Sequence, residues 1–189
     1  NVPGTSKVPG TSWRVSRIDR ARRHPRPTRN RFPSHSCACY TPPMRLYLDT
    51  CSLQRPLDSK TELRVLLEAE SVLGLLEMCQ SGQAELVGSE ALTFEVERNP
   101  NFTRRQYGLE TLSYATLFVE MTAAVEARAR AFVAAGLKPL DALHLASAEA
   151  AEADYLCTCD DRFLRRARGL TNLTTRVVSP LELIGEIER

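Results

Sequence analysis

The run PLDALHLASAEAAEADYLCTCDDRFLRRAR, residues 139–168, reads as helix, strand and helix in immediate succession. Pro139 suits the first turn of a helix through Ala151, because its preset φ and missing N–H cost nothing there. Asp154 to Thr158 is an apolar run too short for a helix and is read as a buried strand. Asp160 then opens a second short helix to Arg168, with a carboxylate suited to cap it. A buried strand between two helices is the repeating unit of a parallel sheet covered on both faces.

The same alternation runs back to Met44 and on to the end of the sequence. Arg45 to Asp49 reads as a short buried strand. Ser59 and Glu62 have capping-box spacing, and a helix is expected from there to about Gln80, ended by Gly82. Glu85 to Gly88 is the second strand, and Ser89 caps the next helix. Asn99-Pro100 breaks that helix and starts another, to about Tyr114. Thr116 to Glu120 is the third strand; Thr122 caps a helix to Ala135, closed by Gly136. Thr175 to Val178 is the fifth strand. Ser179, Pro180 and Glu182 supply the cap, first-turn proline and capping-box acid of a last helix. The expected fold is α/β: a three-layer α/β/α sandwich around a central, mostly parallel, five-stranded sheet.

Two domains are expected, a leader over 1–43 and a folded domain over 44–189. The leader holds nine Lys and Arg residues against one acid, Asp19, and seven of the eleven prolines. VPGTS occurs in it twice, and apolar periodicity is missing, so it is expected to be disordered. It begins with Asn, while Met44 stands just before the first strand. The expectation is therefore that Met44 is the true start and the leader an over-extended reading frame or an expression artefact. A basic arm for nucleic acid and a mitochondrial transit peptide are weaker readings, the second because the prolines spoil an amphipathic helix. The remaining residues carry 16 basic and 22 acidic side chains, so the folded part is acidic. No apolar run approaches the ~20 residues that span a bilayer. The six cysteines do not match zinc-site spacing, and reduced thiols in a cytoplasmic protein are expected.

Four acids stand where strands end or helices begin: Asp49, Glu95, Asp141 and Asp160. A parallel sheet gathers such positions at the carboxyl ends of its strands, where ligands bind. Carboxylates placed together repel and raise one another's pKa unless a cation joins them. Mg²⁺ or Mn²⁺, both oxygen-seeking, would remove that penalty and support water attack on a phosphodiester.

The segments LYLDT, SEALTFE, PLDALHLASA and LCTCDDRFLRRA resemble the PIN domain family, the fold of many VapC-type toxin ribonucleases. The resemblance covers nearly all of the chain after Met44. It implies a metal-dependent endoribonuclease leaving 5′-phosphate and 3′-hydroxyl ends, an RNA substrate, and a cognate antitoxin protein as partner. It also implies that Asp49 and Asp141 are the principal metal ligands, with Glu95 and Asp160 completing the shell. Thr158, Ser52 and Arg55 are expected near phosphate or behind the ligands. The family often has Asn or Ser two residues after the first aspartate; this chain has Cys51 there, then Ser52.

Plainer roles compete with each of these. A helix-opening aspartate is more often a cap, which weighs most for Asp160. Asp49 resists that reading because it ends an apolar strand. Glu90 and Glu97 compete with Glu95, and Asp161 with Asp160. His144 reads as a helix-face residue packing near the site. Arg162, Arg165 and Arg166 read equally as RNA contacts and as a solvated basic face. The long first helix is apolar almost all round, which leaves room for a homodimer surface, with core packing as the default. Two other functions stay in view. One is a PIN-like RNA-binding or scaffold module without catalysis. The other is phosphotransfer with Asp49 as nucleophile, against which stands the missing second acid at Cys51. No G-x-G-x-x-G follows a strand, so dinucleotide binding is not supported.

Overall fold

The computed structural model describes residues 43–188; the leader expected to be disordered falls outside the described residues but for Pro43. Five strands form one sheet: β1 (Met44–Leu48), β2 (Ala84–Ser89), β3 (Leu117–Val119), β4 (Tyr155–Cys157) and β5 (Arg176–Val178). Their order is β3-β2-β1-β4-β5 and every pairing is parallel. The α/β expectation holds, and the sheet is parallel throughout.

The period-two alternation of β1 explains the layers. Leu46, Tyr47 and Leu48 are all fully buried, because helices cover both faces. Tyr47, with Val87, Leu156 and Val177, packs against α5 (Ala123–Ala134), α6 (Pro139–Ala150) and α7 (Asp161–Arg168). Leu46 and Leu48, with Leu86, Cys157 and Val178, pack against α2 (Leu63–Gln80) and α8 (Pro180–Ile187). Between β2 and β3 the chain forms α3 (Glu90–Glu97) and α4 (Phe102–Leu112). Among the described residues no helix is long and apolar enough to cross a membrane.

Local signals mostly place the helix ends. Ser89, Thr122 and Asp160 cap their helices through side-chain oxygens, and Ser179 with Glu182 forms a reciprocal capping box. Gly82 and Gly136 follow α2 and α5 at φ +78° and +102°, where an L side chain would be strained. One local expectation fails. The box read at Ser59 and Glu62 does not form: α2 starts at Leu63, and Glu62 precedes it without a side-chain cap. The chain before it is committed to a 3₁₀ turn, Arg55–Leu57, whose Asp58 is bound by Arg55 and Arg104, so the helix begins after that anchored loop. A one-turn helix, α1 (Thr50–Leu53), also follows β1 directly. It is too short to show periodicity.

Candidate active site

The strand order turns between β1 and β4, the switch point at which open parallel sheets bind ligands. Leu48 pairs with Cys157, so the next residues on each strand, Asp49 and Thr158, emerge side by side. The Asp49 N–H donates to the Cys157 carbonyl at 3.1 Å. Asp49 is buried at 5 % exposure and caps α1, its Oδ1 accepting from the Ser52 N–H at 2.8 Å. Cys51 lies 3.0 and 3.1 Å from the two Asp49 carboxylate oxygens. Its contact with Cys159, its burial and the Asp49 charge all push the thiol up, so it stays protonated and donates to the carboxylate. The Ser52 hydroxyl turns to the Cys159 sulfur at 3.5 Å, so Ser52 serves Asp49 through its backbone.

Asp141 stands in the first turn of α6, behind Lys138 and Pro139. Its Oδ2 is buried without a hydrogen-bond partner among the described residues. Burial pushes this carboxyl above the ordinary aspartate range; Lys138 opposes the shift, while Asp160 and Asp49 add to it. Asp160 caps α7, its Oδ1 accepting from the Arg162 and Phe163 N–H groups at 2.7 and 3.2 Å. Those bonds and the nearby Lys138 hold it below the usual range against the effect of burial. Its own N–H donates to Thr158 Oγ1 at 3.0 Å, so Thr158 positions Asp160. The capping reading of Asp160 holds through Oδ1, while Oδ2 faces Lys138 at 3.7 Å.

Glu95, on α3, is bound rather than loose. Its Oε2 accepts from Thr50 Oγ1 and from His144 Nε2, the latter at 2.9 Å. Burial would raise its pKa, but these two partners hold it below the ordinary glutamate range. The acids that compete with Glu95 and Asp160 face other partners or solvent. Glu90 accepts from the Met121 N–H at 2.6 Å, Glu97 is exposed, and Asp161 pairs with Arg64 at 2.6 Å. His144 is 3 % exposed and does more than pack, since Nδ1 meets the Tyr47 hydroxyl at 2.9 Å. Tyr47 in turn meets Ser89 Oγ at 2.7 Å.

A groove of about 340 Å³ adjoins this acid, lined by Thr50, Cys51, Arg55, Asp58, Glu95 and Arg104 among others. Its two arginines are preset by an ion-pair ladder. Arg104 and Arg55 bind the two oxygens of Asp58 at 2.6 and 2.8 Å. Arg55 and Arg64 both reach the buried Glu68, at 3.1 and 2.7 Å. On α7, Arg162 and Arg166 are exposed, and Arg165 Nε donates to the Asp161 carbonyl at 3.1 Å.

Asp49 and Asp160 thus both act electrostatically on Asp141, with Glu95 next door across Thr50. Among the described residues no three His, Cys, Asp or Glu side chains close into a ready-made metal cage. The donors nevertheless suit a hard divalent cation. They are carboxylate oxygens, and the unpartnered Asp141 Oδ2 sits beside two further negative groups. Lys138, Tyr47 and Cys159 are site components that sequence reasoning missed. Lys138 was signalled only by its place directly before the helix-opening Pro139.

No curated protein matches the chain. One matching chain among solved structures comes from the crystal structure of VapBC2 from Rickettsia felis bound to a DNA fragment from their promoter. It is 13 % identical, covers 72 % of this chain and 98 % of its own, and superposes with a TM-score of 0.49. The family model of the PIN domain matches residues 46–169, from the first strand to the end of α7, and the chain belongs to the PIN domain family.

Proposed function

We propose that this protein is a metal-dependent endoribonuclease that hydrolyses RNA phosphodiester bonds, acting as the toxin of a toxin–antitoxin pair. The observation that carries the reading is the unpartnered Asp141 Oδ2 beside Asp49 and Asp160 at the sheet's switch point. Asp49 and Asp141 are the principal ligands of Mg²⁺ or Mn²⁺, and Glu95 and Asp160 complete the shell, some through water. Bound there, the divalent ion supplies the charge that makes water nucleophilic and steadies the departing oxygen. Asp49 is held for this task by the Ser52 N–H and the Cys51 thiol. Thr158 fixes Asp160 through its backbone. Arg55, with Arg104, offers guanidinium groups to the phosphates of a strand lying in the adjoining groove.

Membership of the PIN family supports nuclease chemistry, and the resemblance to VapC-type toxin ribonucleases implies the toxin role and 5′-phosphate and 3′-hydroxyl products. Leu63, Leu67 and Leu73 on α2 are exposed, which supports a protein partner, either the antitoxin or a second copy of the chain. The test is incubation of the chain with structured and single-stranded RNA in Mg²⁺, Mn²⁺ or EDTA, beside Asp49→Asn and Asp141→Asn. Cleavage that needs metal and disappears in both variants is expected. Binding of RNA with no cleavage in any metal would replace the nuclease with a binding module.

A further inference from the structure

We infer that His144 is a positioning residue for Glu95, held in a single tautomer by a hydrogen-bonded circuit through Tyr47 and Ser89. The inference rests on Glu95 serving the metal site. The circuit starts at the Leu92 N–H, which can only donate, and donates to Ser89 Oγ at 3.1 Å. In the circuit Ser89 gives its own proton, free once Oγ has accepted from Leu92, to the Tyr47 oxygen 2.7 Å away. Tyr47 then donates to His144 Nδ1 at 2.9 Å, and the ring carries its proton on Nε2. That proton goes to Glu95 Oε2 at 2.9 Å, and an ionised carboxylate can only accept.

The opposite order fails at its last link. With the proton on Nδ1, an unprotonated Nε2 would face Glu95 across 2.9 Å, lone pair against carboxylate. Oε2 is already an acceptor, taking the Thr50 hydroxyl proton, and the same acceptor role toward Nε2 excludes this arrangement.

The circuit closes on one helix. Ser89 caps α3, and Glu95 lies on the same helix, so the cap and the carboxylate are two ends of one loop. Tyr47 and Ser89 are fully buried and His144 nearly so, so water does not compete for these bonds. Because Thr50 and His144 both bind Oε2, the carboxylate is turned so that Oε1 takes no hydrogen bond among the described residues. Oε1 is the oxygen presented for ligation. A ligand carboxylate oriented by an imidazole N–H is an outer-shell arrangement whose loss typically costs roughly 10–100-fold in metal affinity or activity.

The test uses the full chain and two variants of His144. His144→Gln keeps an N–H donor at the reach of Nε2, toward Glu95. His144→Asn reaches only the Nδ1 position, toward Tyr47. With the metal requirement read from Mg²⁺ titrations of cleavage, the Asn variant should need roughly 10–100-fold more Mg²⁺. The Gln variant should stay near the unsubstituted protein, although both lose a similar amount of thermal stability. Nitrogen-15 NMR of the imidazole, with three histidines to resolve, should place the proton on Nε2 of His144. A proton on Nδ1, or equal shifts in metal requirement for Gln and Asn, would overturn the inference and leave His144 a packing residue. A wild-type chain that cleaves no RNA would sink the nuclease reading instead, and the proton position would still decide for or against the circuit.

Discussion

Lys138 points its ammonium at Asp160 Oδ2 across 3.7 Å, placing a protein cation against the acids that would hold a divalent one. It also opposes the upward shift of Asp141. Lys138 is half exposed, so its field is softened by water and worth about 1 kcal/mol or less. Replacing it by Met should tighten Mg²⁺ binding by about threefold, measured as the metal dependence of the melting temperature. Weaker binding in Lys138→Met would mean instead that the lysine's main role is to hold Asp160 in place.

The raised pKa of Asp141 makes a pH prediction for the metal-free protein. The folded state keeps the Asp141 proton to a higher pH than the unfolded state does. Stability therefore falls as pH rises from about 4, where a free aspartate titrates, through the raised folded value. Glu95 and Asp160 act oppositely: their lowered values contribute stability above the ordinary carboxylate range that is lost as pH falls through them. They are common to the wild type and to Asp141→Asn, so they cancel in a comparison of the two. In EDTA, Asp141→Asn should gain on the wild type as pH rises across the Asp141 window, and saturating Mg²⁺ should reverse the order. Melting curves that run parallel at every pH would contradict it.

Glu68 is the buried centre of the ion-pair ladder, 1 % exposed and bound by Arg55 and Arg64. Breaking a buried pair by removing one partner is costly because it strands the other charge. Arg55→Met with Arg64→Met, which leaves the buried Glu68 carboxylate unpaired, should lose about 3–5 kcal/mol in urea unfolding. A loss below about 1 kcal/mol would place the ladder in the class of ordinary surface pairs.

Gly108 on α4 lies against α3, the helix that carries Glu95. A Cβ at this position would sit 2.7 Å from Val96 Cγ1. Gly108→Ala should therefore destabilise the protein by about 1–3 kcal/mol and lower RNA cleavage through displacement of α3. Unchanged stability would show that the contact between α3 and α4 yields without cost.

The parts of the site legible in the sequence were those that local chemistry marks. Asp49 ends an apolar strand, Asp160 follows Thr158 at capping distance, and Asp141 opens a helix behind a proline, and each needs only a few neighbours to be read. His144 was read as a packing residue because its partners, Tyr47 and Glu95, lie 97 and 49 positions away. Such a network depends on strand order, which one sequence does not display. Cys51 was noticed as a departure from the family, yet its contact with Asp49 follows from the one-turn helix after β1. The start of α2 was misplaced for a similar reason, since the anchoring of Asp58 by Arg104 is a tertiary contact that overrode a local capping signal.

The most direct test of the central claim is calorimetric titration of Mn²⁺ into the EDTA-stripped chain, with Asp49→Asn, Asp141→Asn and Asp161→Asn beside the wild type. Asp161 serves as the control because it pairs with Arg64 at the surface. Saturable binding is predicted for the wild type and Asp161→Asn, and its loss is predicted in the other two. Binding that survives in both Asp49→Asn and Asp141→Asn, or is missing from the wild type, would contradict a metal centre at the switch point of this sheet.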